Sequence, residues 1–142
     1  MSGTSFRDLL HYTTATAPKP PILANGHYIG TIRGHEFGKS RNKGTPQVQI
    51  LLTAEEECED VEKGANDGVN IGDADLRRTF YITPKAVRRI GTMLDAVLGP
   101  DDRYFDERLP ETRGARVMFS VSQRENEDGT DTYMDVGTIV RA

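Results

Sequence analysis

Lys39, Arg41 and Lys43 place three cations in five positions, alternating with Ser40 and Asn42 and bracketed by Gly38 and Gly44, with no acid among them. Cations spaced along a flexible loop can hold the phosphates of a nucleic-acid backbone. A single strand also needs aromatic faces on which its bases stack, each stack worth ~1–3 kcal/mol. The neighbouring sequence offers such groups on alternating positions: Arg33 and Phe37 before the loop, Arg77 and Tyr81 further on, then Arg116, and Tyr133 near the end. Simpler readings compete at each position. The three loop cations can belong to a solvated hairpin, and Tyr81 and Tyr133 can pack as rims under loops. For Phe37, burial is expected over stacking. Arg77 and Arg78 are adjacent and face opposite ways, so one of them is expected to pair with an acid from residues 55–75.

Catalytic chemistry finds little footing. His11, His27 and His35 show no metal-ligand spacing. Asp73-x-Asp75 lacks the alternating ligands and closing glutamate of a calcium loop. Asp101, Asp102, Asp106 and Glu107 read as a hydrophilic connector rather than a nuclease cluster. Residues 38–44 lack the terminal GK[ST] of a phosphate loop. Cys58 stands among acids that raise its pKa and blunt a thiolate. Neither an active site nor a metal nor a cofactor is expected.

The elements that must position the loop follow from periodicity. Residues 28–37 alternate, with Tyr28, Gly30, Ile32 and Gly34 on one side and Ile29, Thr31, Arg33, His35 and Phe37 on the other. Gly30 and Gly34 inside that strand mark a bulge or a sharp bend. Residues 47–53 form a second strand with Val48, Ile50 and Leu52 inward, and residues 76–82 a third with Phe80 and Ile82 in one row. Thr83-Pro84 gives a cap and a first-turn proline. Val87, Ile90, Leu94, Val97 and Leu98 then recur at helical spacing until Gly99-Pro100 stops the helix. Residues 101–113 read as a polar connector. Residues 115–123 form a fourth strand, residues 126–129 a turn, and residues 132–140 a fifth strand with Met134, Val136, Thr138 and Val140 inward.

Composition sets the bounds. At 142 residues, 36% hydrophobic and 28% charged, the chain suits one soluble domain, with residues 1–21 as an arm or tether and 22–142 as the folded unit. Phe6, Leu9 and Leu10 of the arm can dock on the domain or on a neighbouring subunit. No apolar run approaches the ~20 residues of a membrane helix, and the start lacks the pattern of a signal peptide. One cysteine suits a reducing cytosol. Net charge is −4. The charge is uneven, however: residues 24–53 hold four Lys/Arg and one acid, residues 55–62 six acids and no base. The acidic stretch 54–75 reads as a solvated excursion, or as a flap that competes for the basic groove.

Strand, strand, strand, helix, strand, strand is the order of the OB-fold, and the expected class is mainly β: an OB-fold-like β-barrel of five strands with one helix between strands 3 and 4. A small open sheet packed on a helix is the competing architecture. The basic loop falls between strands one and two, where that fold grips oligonucleotides; the loop between strands four and five is acidic. Gly26-x-Tyr28-x-Gly30, Glu36-x-Gly38-Lys39-Ser40, Lys43-Gly44-x-Pro46-Gln47 and Phe80-x-Ile82-Thr83-x-x-Ala86 together resemble phage-encoded single-stranded DNA-binding proteins of the OB type. The resemblance implies a non-catalytic protein that coats and protects single strands during phage DNA replication or recombination. It also implies a host bacterial cytoplasm as the location. Many such proteins end in a disordered acidic tail that recruits partners, whereas this sequence reads as a strand through Ile139-Val140-Arg141-Ala142, so recruitment by a tail is not expected. Expected partners are single-stranded DNA, further copies of the chain as a dimer or larger, and replication or recombination proteins, with no membrane. The alternative is a protein-interaction or assembly module without nucleic-acid binding, suited by the acidic pI and a free strand edge.

Overall fold

The computed structural model of the chain describes Leu10, His11, Thr13 and residues 20–142; Phe6 and Leu9 of the expected arm lie outside the described residues. Five strands, β1 (Gly26–Lys39), β2 (Pro46–Glu57), β3 (Leu76–Tyr81), β4 (Arg116–Glu125) and β5 (Thr132–Arg141), form one antiparallel sheet in the order β3-β2-β1-β4-β5. A helix, α1 (Val87–Leu98), lies between β3 and β4. The fold is mainly β and compatible with the OB-fold. The sheet curls without closing. Among the described residues no ladder joins β3 to β5, and a single bond from Arg78 Nη1 to the Val136 carbonyl, 3.3 Å, crosses the seam.

One face of the sheet is buried. Tyr28, Ile32, Val48, Ile50, Leu52, Leu76, Val117 and Phe119 are wholly inaccessible and pack against Ile90, Met93, Leu94 and Val97 of α1. The helix forms where the apolar spacing places it. Its start differs from the expected cap: Ala86 is the N-cap and makes no side-chain cap bond. Thr83-Pro84 lie in the turn before the helix, where the Thr83 hydroxyl accepts from the Ala86 N–H at 3.2 Å. Gly99 ends the helix at φ 92°. No helix among the described residues is long and apolar enough to cross a membrane.

Three register shifts bend the sheet. The first leaves Glu55 unpaired opposite the Ile29–Gly30 step. Gly30 is required there, because a Cβ would overlap the Thr53 carbonyl oxygen. The second makes Arg33 the extra residue between Ile32, opposite Leu52, and Gly34, opposite Leu51. Gly30 and Gly34 therefore do flank bulges. The third lies in β5, where Val136 pairs with Val121 and Ile139 with Phe119.

A bulge adds one residue and so reverses the alternation beyond it. After Arg33, His35 pairs with Ile50 and Phe37 with Val48, which puts both on the core side of the sheet instead of the outward row expected for them. In β5, Val136 and Ile139 are the buried residues, in place of the expected row that continued through Thr138 and Val140.

Two loops differ from their polar reading. β2 runs to Glu57, into the acidic stretch, because Ala54 continues the buried row opposite Gly30. The rest of that stretch folds against the start of β1. Val61 is buried, and Asn66 accepts from the Ala24 N–H at 2.9 Å and donates to the Tyr28 hydroxyl at 2.9 Å. It lies at the opposite end of β1 from the basic loop, which does not suit a competing flap. The connector after α1 holds a short helix, α2 (Phe105–Arg108), and a 3-10 turn (Leu109–Thr112). Phe105 rests on the helix at Gly91, and Arg108, only 1% exposed, donates to Asp95 Oδ1 at 2.8 Å and to the Gly99 carbonyl at 2.6 Å.

Candidate nucleic-acid interface

On the outer face of the sheet, cross-strand register aligns three rows: Gly34–Leu51–Arg77, Glu36–Gln49–Thr79 and Gly38–Gln47–Tyr81. The last row leads directly to the basic loop. That loop is closed by its own backbone and by Ser40: the Ser40 N–H donates to the Thr45 carbonyl at 2.8 Å, the Gly44 N–H to the Ser40 carbonyl at 3.0 Å, and the Thr45 N–H to the Ser40 hydroxyl at 2.9 Å. Gly44 sits at φ 63°, a conformation that favours glycine. These bonds occupy the main chain and turn the side chains of Arg41, Asn42 and Lys43 outward.

β3 brings the aromatic group to the loop. The Ile82 N–H donates to the Pro46 carbonyl at 2.8 Å, which extends the β2–β3 pairing one residue past Tyr81. An open cavity of about 630 Å³ results, lined by Ser40, Arg41, Asn42, Lys43, Thr45, Gln47, Tyr81, Thr83 and Ala86. Its size falls within the roughly 300–1,000 Å³ of ligand sites. It contains two cations, a tyrosine 45% exposed, and no acid.

The remaining expected residues divide by their ion pairs. Arg33, Lys39, Arg41 and Lys43 make no ion pair or side-chain hydrogen bond among the described residues. Arg77 is committed instead. Its Nε donates to Asp75 at 3.0 Å and its Nη1 to Glu36 at 3.3 Å and Gln49 at 3.1 Å, which raises its pKa through the Asp75 bond first. The expected pairing with an acid from residues 55–75 is thus Arg77–Asp75. Arg116 lies across the sheet beside Thr31 and faces Glu56 at 3.2 Å and Glu55 at 3.9 Å.

Tyr133, 44% exposed, lies apart from Tyr81. It lines a second cavity, of about 610 Å³, with Arg124, Asp75 and the acidic loop between β4 and β5. The Arg124 guanidinium sits 5.2 Å from its ring centre and pairs with Asp135 at 3.0 Å, so one face of the ring already carries a cation. Phe37, expected to be buried, is 61% exposed because the β1–β2 hairpin runs past the core. It lies on the opposite side of the sheet from Tyr81 and meets His35 edge-on at 5.3 Å.

No family model matches the chain, and no curated protein matches it. The site is therefore read from its own chemistry. Sequence reasoning passed over Ser40, Asn42, Thr45, Gln47 and Thr83 as site residues, although Gln47 stood on the outward row and Thr83 was read as a cap. Arg124 gave no signal, since only folding sets it over Tyr133. Elsewhere, local structure shifts the pKa values of Asp60 and Cys58. The His27 ring and N–H hold Asp60 Oδ2 and Oδ1 at 2.6 and 2.9 Å and lower its pKa. Cys58 has its pKa raised, by burial first and then by Asp60, Glu56 and Glu59.

Proposed function

We propose that the chain is a single-stranded nucleic-acid-binding protein that grips its ligand at the β1–β2 loop and Tyr81. One observation carries the reading: an acid-free cavity with two unpaired cations and a half-exposed tyrosine, on a chain whose net charge is −4. In this reading Arg41 and Lys43 hold phosphates, Lys39 and Arg33 extend the positive edge along β1, and a base stacks on Tyr81. Ser40, Asn42, Gln47 and Thr83 supply neutral hydrogen bonds to sugar and phosphate oxygens. Arg77 and Arg116, already neutralised by carboxylates, contribute less than expected from sequence. Tyr133 marks a second contact, since Asp75, just before β3, and Tyr81, at its far end, connect the two cavities along ~20 Å of chain.

The proposal extends to DNA as the ligand, to self-association along the strand, and to a part in phage DNA replication or recombination, all of which rest on the sequence resemblance. The alternative, a protein-interaction module, is supported by the unpaired β3 and β5 edges and by exposed Phe37.

Fluorescence anisotropy separates the two. A labelled ~30-nucleotide oligothymidylate should bind in a salt-sensitive manner and more tightly than duplex of equal length. Absence of binding at low salt would remove nucleic acid from the function and leave the protein-interaction reading.

A further inference from the structure

The outer face of β3 belongs to the proposed strand-binding site; its inner face does not. Arg78 projects inward opposite Ile50, with its guanidinium 5.2 Å from the centre of the Phe80 ring. At the seam where β3 and β5 stay unpaired, a cavity of about 210 Å³ opens between Arg78, Phe80, the α1 residues Arg89, Thr92, Met93 and Ala96, and Thr138 and Ile139 of β5. Its walls are largely apolar, and it holds two guanidinium groups and no carboxylate.

Arg78 is the unusual member. It pairs with no carboxylate. Among the described residues Arg33, Arg41, Arg88, Arg89, Arg113 and Arg141 also pair with none, but all of them are exposed, whereas Arg78 is partly buried. Its Nη1 donates to the Val136 carbonyl, and its Nε is buried with no hydrogen-bond partner among the described residues. A partly buried cation without a counter-charge is a costly arrangement, and an anion that approaches it from the cavity relieves the cost. Arg89, on the exposed side of α1, adds a second positive group at the same cavity.

We propose that this seam cavity binds a small carboxylate with a compact apolar body. The carboxylate meets Arg78 and Arg89, with Thr92 and Thr138 beside it, and the body packs on Phe80, Met93, Ala96 and Ile139. The volume lies below the roughly 300–1,000 Å³ of larger ligand sites, which limits the body to one ring or a short branched chain. The site is independent of the strand-binding reading, because it uses the other face of β3.

Benzoate is the probe and benzamide its uncharged counterpart. Titrated into the isotopically labelled full chain, benzoate should give saturable amide shifts at Thr92, Ala96, Thr138 and Ile139, with benzamide at least about tenfold weaker. Arg78→Met should abolish that preference. Ala96→Phe, which fills the cavity and retains both arginines, should abolish binding and carries the test if Arg78→Met does not fold. Equal binding of the two probes, no saturable benzoate binding, or unchanged binding by Ala96→Phe would each overturn the proposal.

Discussion

Tyr81 keeps nearly half its surface in solvent at the point where the β2–β3 pairing meets the basic loop. Tyr81→Ala is expected to weaken single-strand binding by ~1–3 kcal/mol, while Tyr81→Phe retains the ring and most of the affinity. Titration of both variants at fixed salt checks the stacking role. Arg77→Ala should cost distinctly less than Arg41→Ala, since Arg77 already spends its charge on Asp75 and Glu36. Arg108 is a different case: a buried guanidinium at the C-terminal end of α1, which holds Asp95 and the Gly99 carbonyl. Arg108→Ala should cost on the order of 3 kcal/mol and lower Tm by roughly 10 °C. At His27–Asp60 the sign of the pH effect follows from a folded-state carboxyl pKa below its unfolded value. The pair therefore stabilises above the ordinary aspartate pKa of about 3.9 and loses that stabilisation as pH falls through the lower, folded value. Asp60→Asn should remove this part of the acid dependence, read as Tm across that window; the exposed pair makes the effect small.

At the scale of elements, the bulges decide which residues share a face. Gly30→Ala drives a Cβ into the Thr53 carbonyl and should destabilise by roughly 1–3 kcal/mol, measured by denaturant unfolding, whereas Gly38→Ala, with open space at its Cβ, should be tolerated. The strands and α1 were legible because their apolar residues repeat at 2.0 and 3.6 positions and because Thr83, Gly99 and the 126–129 turn punctuate them. Gly30 and Gly34 announced bulges. The position of the extra residue, Arg33, was not readable, because register depends on the partner strand. For that reason Phe37 was assigned to the wrong face. The third bulge, in β5, misplaced Thr138 and Val140 for the same cause. Arg108 and α2 escaped notice because a charged residue in a polar stretch reads as solvated until a helix end is laid beside it. In the site, the loop cations and Tyr81 were legible as types and spacing; that Arg77 and Arg116 would be occupied by carboxylates was only half visible, through Asp75.

On the scale of the whole molecule, charge is segregated. The acidic stretch after β2 is pinned to the start of β1 by Val61 and Asn66, while the cations of the proposed site, Arg33, Lys39, Arg41 and Lys43, lie in the second half of that strand and in the loop beyond it. A protein of net charge −4 can thereby present a positive edge to a polyanion, and the salt-dependent part of its affinity should come from that edge. The most direct test is the salt dependence of oligothymidylate binding for the chain and for a variant with Lys39, Arg41 and Lys43 changed to alanine. The slope of log affinity against log salt should fall in magnitude by about 2, at ~0.7 per phosphate released on a single strand. An unchanged slope and affinity in the variant would contradict the account and place any nucleic-acid contact elsewhere on the molecule.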